Sequence, residues 1–255
     1  MIRCPVCSTP AGAYFVGVGE WKICKCADCG LEHTHPIPSQ QALFEFYESY
    51  SDPRARPDVV ALNARRNLEL LRSLGWSTDS SVLDYGAGAG EFVDVAGANC
   101  LGIELPGTRE PHARIYEGIS ELPGRLFDFV TLWGVLEHLA DPVGVVRDLS
   151  RLLGAGGYLI LTTVDAEGSI PYHYKPIEHL TYWTSNSMSR MFDAAGLTLL
   201  SYETYQMVQD PRIYFDRLFA RSPLPLRPDV AKVSEGLPQY VEVPTNEVIA
   251  CARLA

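Results

Sequence analysis

The sequence has no stretch approaching the ~20 uninterrupted apolar residues that a membrane-spanning helix requires, which excludes that way of crossing a bilayer. It is also short of positive charge: 21 Lys and Arg stand against 31 Asp and Glu, a formal net charge of −10. The densest basic group, Arg54, Arg56, Arg65 and Arg66, is interrupted by Asp52 and Asp58. An acidic surface without a basic patch repels phosphate backbones, so nucleic acid is disfavoured as a partner. The opening MIRCPVC has no apolar signal core behind a basic start, so a cytoplasmic protein with no membrane partner is expected. Internal repeats and low-complexity tracts are lacking as well. What remains is the ordinary mixture of a globular protein with a sizeable core, 47% hydrophobic and 20% charged over 255 residues.

Five of the seven cysteines precede residue 30. In a reducing compartment such crowding points to metal ligation rather than disulfides. Cys4-x-x-Cys7 and Cys26-x-x-Cys29 match two knuckles that close one tetrahedral four-cysteine site, and zinc is the expected ion. Four protein ligands make such a site closed, hence structural. Cys24 is surplus and faces the small core of this ribbon, His33 and His35 are alternative ligands of lower rank, and Cys100 and Cys251 read as core residues.

The chain divides into a zinc ribbon over 1–36, a helical linker or lid over 37–76, and a larger domain over 77–255. The helical part starts at Ser39, a plausible cap, and its second amphipathic stretch runs from Val59 to Leu74 and stops at Gly75. Beyond Ser81, SVLDYG, NCLGIEL, ARIYEG, FDFVTLW and YLILTTV are short apolar runs alternating with helical spacing. That alternation predicts an α/β fold with a mostly parallel sheet covered on both faces. LTLLSYETYQM and NEVIACARL read as the last two strands, and the Pro-rich SPLPLRP between them has no assignment.

VLDYGAGAGEF is the most informative segment. Gly86, Gly88 and Gly90 follow a strand that ends in Asp84, and glycine lets the backbone turn tightly and approach a ligand. The dinucleotide fingerprint needs G-x-G-x-x-G, whereas Glu91 stands where its third glycine belongs. A pyrophosphate would meet Glu91 at the helix N-terminus, while a cationic, phosphate-free nucleoside suits Asp84 and Glu91. Fourteen residues past Gly90, Glu104 ends the second strand, where a carboxylate can accept both hydroxyls of a ribose.

VLDYGAGAGEF, GIEL, FDFVTLWGVLEHLADP, LLGAGGYLILTT and EHLTYWTSNSMSRMFDAAGLTLL, in that order, resemble class I S-adenosylmethionine-dependent methyltransferases, in particular the bacterial group related to ubiquinone-biosynthesis O-methyltransferases. The resemblance covers most of residues 80–205. It implies a Rossmann-like seven-stranded sheet with an antiparallel last strand, NEVIACARL, and S-adenosyl-L-methionine as cofactor. It further implies that Asp84, Gly86 and Gly88 lie against the methionine moiety, Glu104 on the ribose, Ile119 beside the adenine with Ser120 or a backbone amide in place of an acid, and Trp133 in the site wall. Tyr47 and Tyr50 fall where related enzymes close the cofactor site.

Methyl transfer from a sulfonium needs alignment and, for a hydroxyl acceptor, removal of a proton. Candidates for that role are Glu137 and His138 past the fourth strand and His179 in the loop IPYHYKPIEHLTYW past the fifth. In the family resembled, a similar LEH stretch lies beside the acceptor, sometimes with a divalent ion. Packing roles for all three, and for Tyr172, Tyr174, Tyr182 and Trp183, compete with that reading. The expected function is methyl transfer to a small-molecule or sugar-type acceptor at a hydroxyl. Two alternatives stand beside it. Similar ribbons precede the methyltransferase domain in deoxysugar C-methyltransferases and in a ribosomal-RNA guanine methyltransferase, but the charged residues of 1–35 (Arg3, Lys22, Lys25, Glu20, Asp28, Glu32) sum to zero, which weakens an RNA reading. A non-catalytic scaffold would show a broken glycine turn, and this one is intact.

Overall fold

The computed structural model describes residues 2–10, 14–19, 21–49, 56–105, 112–168, 174–220 and 229–254. Strands β1 (Tyr14–Val18), β2 (Trp21–Lys25) and β3 (Glu32–His35) lead into helices α1 (Gln40–Ser49) and α2 (Pro57–Ser73). Then follow β4 (Val82–Tyr85), α3 (Glu91–Ala96), β5 (Cys100–Ile103), β6 (Ile115–Tyr116), β7 (Phe127–Trp133), α4 (Pro142–Ser150) and β8 (Leu153–Val164). The chain finishes with β9 (Thr181–Tyr182), α5 (Ser185–Ala194), β10 (Leu197–Gln209), α6 (Pro211–Ala220), α7 (Val230–Val233) and β11 (Val241–Leu254). No helix among the described residues is long and apolar enough to cross a membrane.

Successive side chains of a strand point to opposite faces, and here both faces are apolar. Val82 joins the core that holds Leu68 and Leu71 of α2 and Phe92 of α3. Its neighbour Leu83 joins the opposite core, with Val146 and Leu149 of α4 and Met188 of α5. Ile160 and Leu161 divide in the same way. The result is a seven-stranded sheet in the order β10-β11-β8-β7-β4-β5-β6. β8, β7, β4, β5 and β6 are mutually parallel, and β11 runs antiparallel between β8 and β10. This is the Rossmann-like sheet with NEVIACARL as the antiparallel last strand.

The helical expectations hold at their ends. Ser39 Oγ accepts the Ala42 amide at 3.2 Å and starts α1, and α2 ends before Leu74. The segment without a sequence assignment supplies α6 and α7, and SPLPLRP lies outside the described residues.

The N-terminal strands form a second sheet, β1-β2-β3-β9, whose last member comes from the large domain. β3 pairs with β9 through Glu32 opposite Tyr182 and His33 opposite Thr181. The Thr34 amide also donates to Leu180 O at 2.9 Å, so the ribbon and the EHLTYW segment are one hydrogen-bonded unit.

Candidate functional site

The parallel strands end along one rim. The turn after β4 folds back on β5, because the Gly86 and Ala87 amides both donate to Ile103 O, at 2.8 and 3.0 Å. Gly86 has φ +80°, and a Cβ there would overlap Val135 Cγ2, so this position is closed to any side chain. Gly88 has φ +55° and faces open space, with no atom within 4 Å of a built Cβ. One glycine permits the packing of the turn, and the other keeps a surface bare.

Beside that bare surface is a cavity of about 440 Å³. Asp84, Gly86, Gly88, Glu91 and Trp133 form its wall on the β4 and β7 side. Asn63 and Asn67 of α2, Thr162 of β8, Tyr205 of β10 and Glu247 of β11 form the other wall. Asp84 is 2% exposed and accepts a 2.7 Å hydrogen bond from Thr131 Oγ1. Burial pushes its pKa up to about 7, the Thr131 bond works against that, and the Glu104 and Glu91 carboxylates add to it. Glu104 accepts from the Gly88 amide at 2.7 Å and from the Leu105 amide at 2.8 Å, which fixes it at the tip of β5. Ile119 opens a short helical turn past β6 and is half-buried against the larger core, with Ser120 exposed beside it. Trp133 packs edge-on to Phe92 at 5.3 Å, and its buried Nε1 has no hydrogen-bond partner among the described residues. Glu104 and Ile119 lie outside the cavity wall. Tyr50 and Tyr172 lie outside the described residues, as does the side chain of Tyr47.

Glu137, His138 and His179 do come together, with one ligand atom from each within 4.8 Å of the others. The turn Leu136–His138 carries the first two. Glu137 is buried and accepts from Thr163 Oγ1 at 2.9 Å. His138 Nδ1 donates to Glu178 O at 2.6 Å, and burial lowers the pKa of its ring despite the Glu137 carboxylate nearby. The His179 ring stands edge-on to it at 5.0 Å, and the buried His179 Nδ1 has no partner among the described residues. The His179 and Lys175 side chains hold Glu178 ionised, with a pKa of about 2. This trio is not part of the cavity wall, but it adjoins it: Glu137 Oε1 is 3.9 Å from where a Cβ on the wall residue Gly134 would sit.

The four ribbon cysteines also converge within 4.8 Å. Cys4 and Cys29 Sγ are 3.5 Å apart, as are Cys7 and Cys26 Sγ. Hydrogen bonding from Cys29 lowers the Cys4 thiol to about 5. This donor set and spacing fit a tetrahedral metal ion. Cys24 and His33 are buried but stand outside the cluster. The knuckle docks on α5, where Thr184 Oγ1 donates to Cys29 O at 2.9 Å and Arg190 pairs with Asp28 at 2.7 Å. Thr34 Oγ1 donates to His179 O at 3.1 Å. Tyr182 and Trp183 are fully buried in this junction and pack it rather than line a pocket.

Asn63, Asn67, Tyr205, Thr162 and Glu247 were not singled out from the sequence. The available signals were faint: two asparagines four apart on one helical stretch, and an acid opening an otherwise apolar strand.

A methyltransferase domain model matches residues 47–202. A ubiquinone biosynthesis O-methyltransferase of Pseudomonas aeruginosa is 34% identical over 103 residues, 33% of this chain and 44% of that protein. The same-named protein of Methylococcus capsulatus is 37% identical over 102 residues, 32% and 43% of the two chains. The chain therefore spans less than half the length of these curated relatives. Among solved structures, the 1,6-didemethyltoxoflavin N1-methyltransferase of Burkholderia thailandensis, with bound S-adenosylhomocysteine, aligns over 96% of this chain and all of that one. At a TM-score of 0.52 and 17% identity it attests the fold. The family model covers more than half of the sequence, and this chain belongs to the methyltransferase domain family.

Proposed function

We propose that the chain transfers a methyl group from S-adenosylmethionine to a hydroxyl of a small-molecule acceptor. The observation that carries this reading is the cavity at the bare glycine turn, walled by buried Asp84 and by Glu91, with Glu104 pinned at the neighbouring strand tip. The residues fit the cofactor. Gly86 permits the tight turn and Gly88 leaves room for backbone approach, Asp84 and Glu91 offer negative charge to a cation, Glu104 stands at the strand tip where a ribose would lie, Trp133 closes the wall, and Ile119 flanks the adenine end. S-adenosylmethionine supplies a methyl carbon attached to a positive sulfur, which leaves as a neutral thioether. The protein must align the acceptor and take its proton. Glu137, His138 and His179 are the proposed proton-handling group: the Glu178 carbonyl holds the proton on His138 Nδ1, burial keeps the ring neutral, and Nε2 is then the basic nitrogen, 3.9 Å from Glu137 Oε1.

Cys4, Cys7, Cys26 and Cys29 are proposed to hold a structural zinc. Its role is to fix β3, and through Thr34 the main chain at His179 and Leu180. An RNA-binding ribbon draws no support from this arrangement, because β3 and the knuckle are engaged by β9 and α5.

Calorimetry with S-adenosylhomocysteine tests the cofactor site. Wild type is expected to bind in the micromolar range and Asp84→Ala at least 10-fold more weakly, and equal binding by both would defeat the assignment. A product screen on hydroxylated metabolites with labelled methyl donor then identifies the acceptor.

A further inference from the structure

The strand order lays out the rim as a line. Ile119 follows β6, Glu104 follows β5, Asp84 is the last residue but one of β4, Trp133 ends β7, Thr162 is near the end of β8, and Glu247, midway along β11, stands opposite Val164 at the end of β8. On the cofactor reading above, which this inference rests on, the nucleoside and methionine cover β6, β5 and β4. The cavity continues beyond them, over β7 and β8 to β11. With strands about 4.8 Å apart, Glu247 stands roughly 10 Å past β7, room for one small molecule.

The groups available on that far side are few. Asn63 is committed to the main chain, donating to Val59 O and Val208 O and accepting from the Val208 amide. Tyr205 donates to Asn67 Oδ1 at 2.7 Å. Thr162 Oγ1 accepts from the Gly134 amide at 2.8 Å. Arg56, the one cation in the wall among the described residues, is paired with Asp210 at 2.8 Å and with Asp58. Glu247 differs from all of these: its amide donates to Thr245, and its carboxylate accepts no hydrogen bond and makes no ion pair among the described residues.

We propose that Glu247 anchors the acceptor, and that the acceptor is a small molecule bearing a protonated amine near the hydroxyl that is methylated. A cavity walled by Asp84, Glu91 and Glu247, whose guanidinium from Arg56 is already neutralised, disfavours an anionic acceptor. Burial, then the Glu137 carboxylate, raises Glu247 to about 8, and Lys175 works the other way. Lys175 is itself bound to Glu178 at 2.9 Å. A group so placed gains most from an incoming positive charge.

The test uses a charge series on one carbon skeleton: glucamine (cation), sorbitol (neutral) and gluconate (anion), titrated at pH 8.5, where Glu247 is largely ionised, by ligand-observed NMR into protein saturated with S-adenosylhomocysteine. Wild type is expected to favour glucamine over sorbitol at least 5-fold, with gluconate weakest. Glu247→Gln should flatten the order and Glu247→Lys should favour gluconate, while thermal melts show whether each variant is folded. Failure of glucamine to bind, or an unchanged order in folded Glu247→Gln, overturns the proposal. S-adenosylhomocysteine is titrated first. If it does not bind, the cofactor reading fails, and the charge series on the unliganded protein still decides the role of Glu247.

Discussion

The two sides of the rim are built by different physics. On the cavity side the walls are regular strands and α2, and the special positions are backbone positions: a glycine that no side chain can replace and one that must stay bare. On the ribbon side the walls are short. β3 has four residues and β9 two, too little to hold themselves, and their geometry depends on a four-cysteine cluster and a few hydrogen bonds to α5. The cavity side should therefore fail through strain and the ribbon side through loss of ligation, each leaving the other standing.

The largest expected effect lies on the cavity side. Gly86→Val must move Val135 and hold φ +80° with a branched side chain, so it should lose roughly 3 kcal/mol of stability and nearly all S-adenosylhomocysteine binding. Gly88→Ala is the control: its Cβ meets no protein atom, so unfolding should shift by only about 1 kcal/mol while binding weakens. If both variants melt alike and bind alike, the division of labour between the two glycines is wrong.

Next comes the ribbon. Removing the proposed zinc with a chelator, or Cys26→Ser, should release β3 from its pairing with Leu180–Tyr182. Hydrogen exchange should show the Thr34 amide, which donates to Leu180 O, losing protection while the Leu180 amide, which donates to Glu137 O, keeps it, with metal content falling in parallel. S-adenosylhomocysteine affinity should change by less than about threefold, since no described ribbon residue lines the cavity. A loss as large as that of Gly86→Val would mean that the two sides are one structure.

The same contrast explains what could be read in advance. The doubly buried strands, the glycine turn and the CxxC pairs are local patterns, each set by a few adjacent residues, and all were legible. That β9 joins the ribbon sheet was not, because Thr181 and Glu32 are remote in sequence and two residues of strand leave no periodicity. Glu247 was hidden for a related reason. A strand reveals that its carboxylate interrupts an apolar run, but only the sheet order reveals that β11 inserts between β8 and β10 and brings it to the cavity. The coming together of Glu137, His138 and His179 could be listed as candidates from sequence, yet their position at the cavity's margin could not.

A third, intermediate effect separates fold from function within the cavity. Asp84 has a folded pKa of about 7 against an unfolded value near 3.8. Between those values the native state holds a proton that the unfolded state has released, so stability falls as pH rises from about 4 to 7 and is flat above. The full shift corresponds to about 4 kcal/mol as an upper bound. Asp84→Asn keeps an oxygen for Thr131 and removes the charge, so it should be more stable than wild type at pH 8 and equal to it at pH 4, by urea unfolding. Binding should move oppositely. Wild-type affinity for the ammonium-bearing S-adenosylhomocysteine should rise from pH 5 to 8, and the variant should bind weakly throughout. A variant no more stable at pH 8 would mean that Asp84 is already solvated or compensated, and the electrostatic basis for cation binding at this strand tip would go with it.

The smallest effect tests the joint itself. Thr184 is buried, accepts the Ser187 amide at 3.1 Å as the N-cap of α5, and donates to Cys29 O. Thr184→Ala loses both bonds and should cost about 1–2 kcal/mol, whereas Thr184→Ser keeps the hydroxyl and should cost well under half of that. The two roles separate by metal affinity. Capping acts on α5 alone, so if the hydroxyl serves only as a cap, Thr184→Ala should release zinc to a chelator at the wild-type rate. If it also braces the knuckle, release should quicken several-fold in Thr184→Ala and stay near wild type in Thr184→Ser. The second pattern is expected, because Cys29 O has its bond to Thr184 from a side chain that is itself locked by the capping box, and a ligand loop held at its carbonyl has less freedom to open than one held by its thiolates alone.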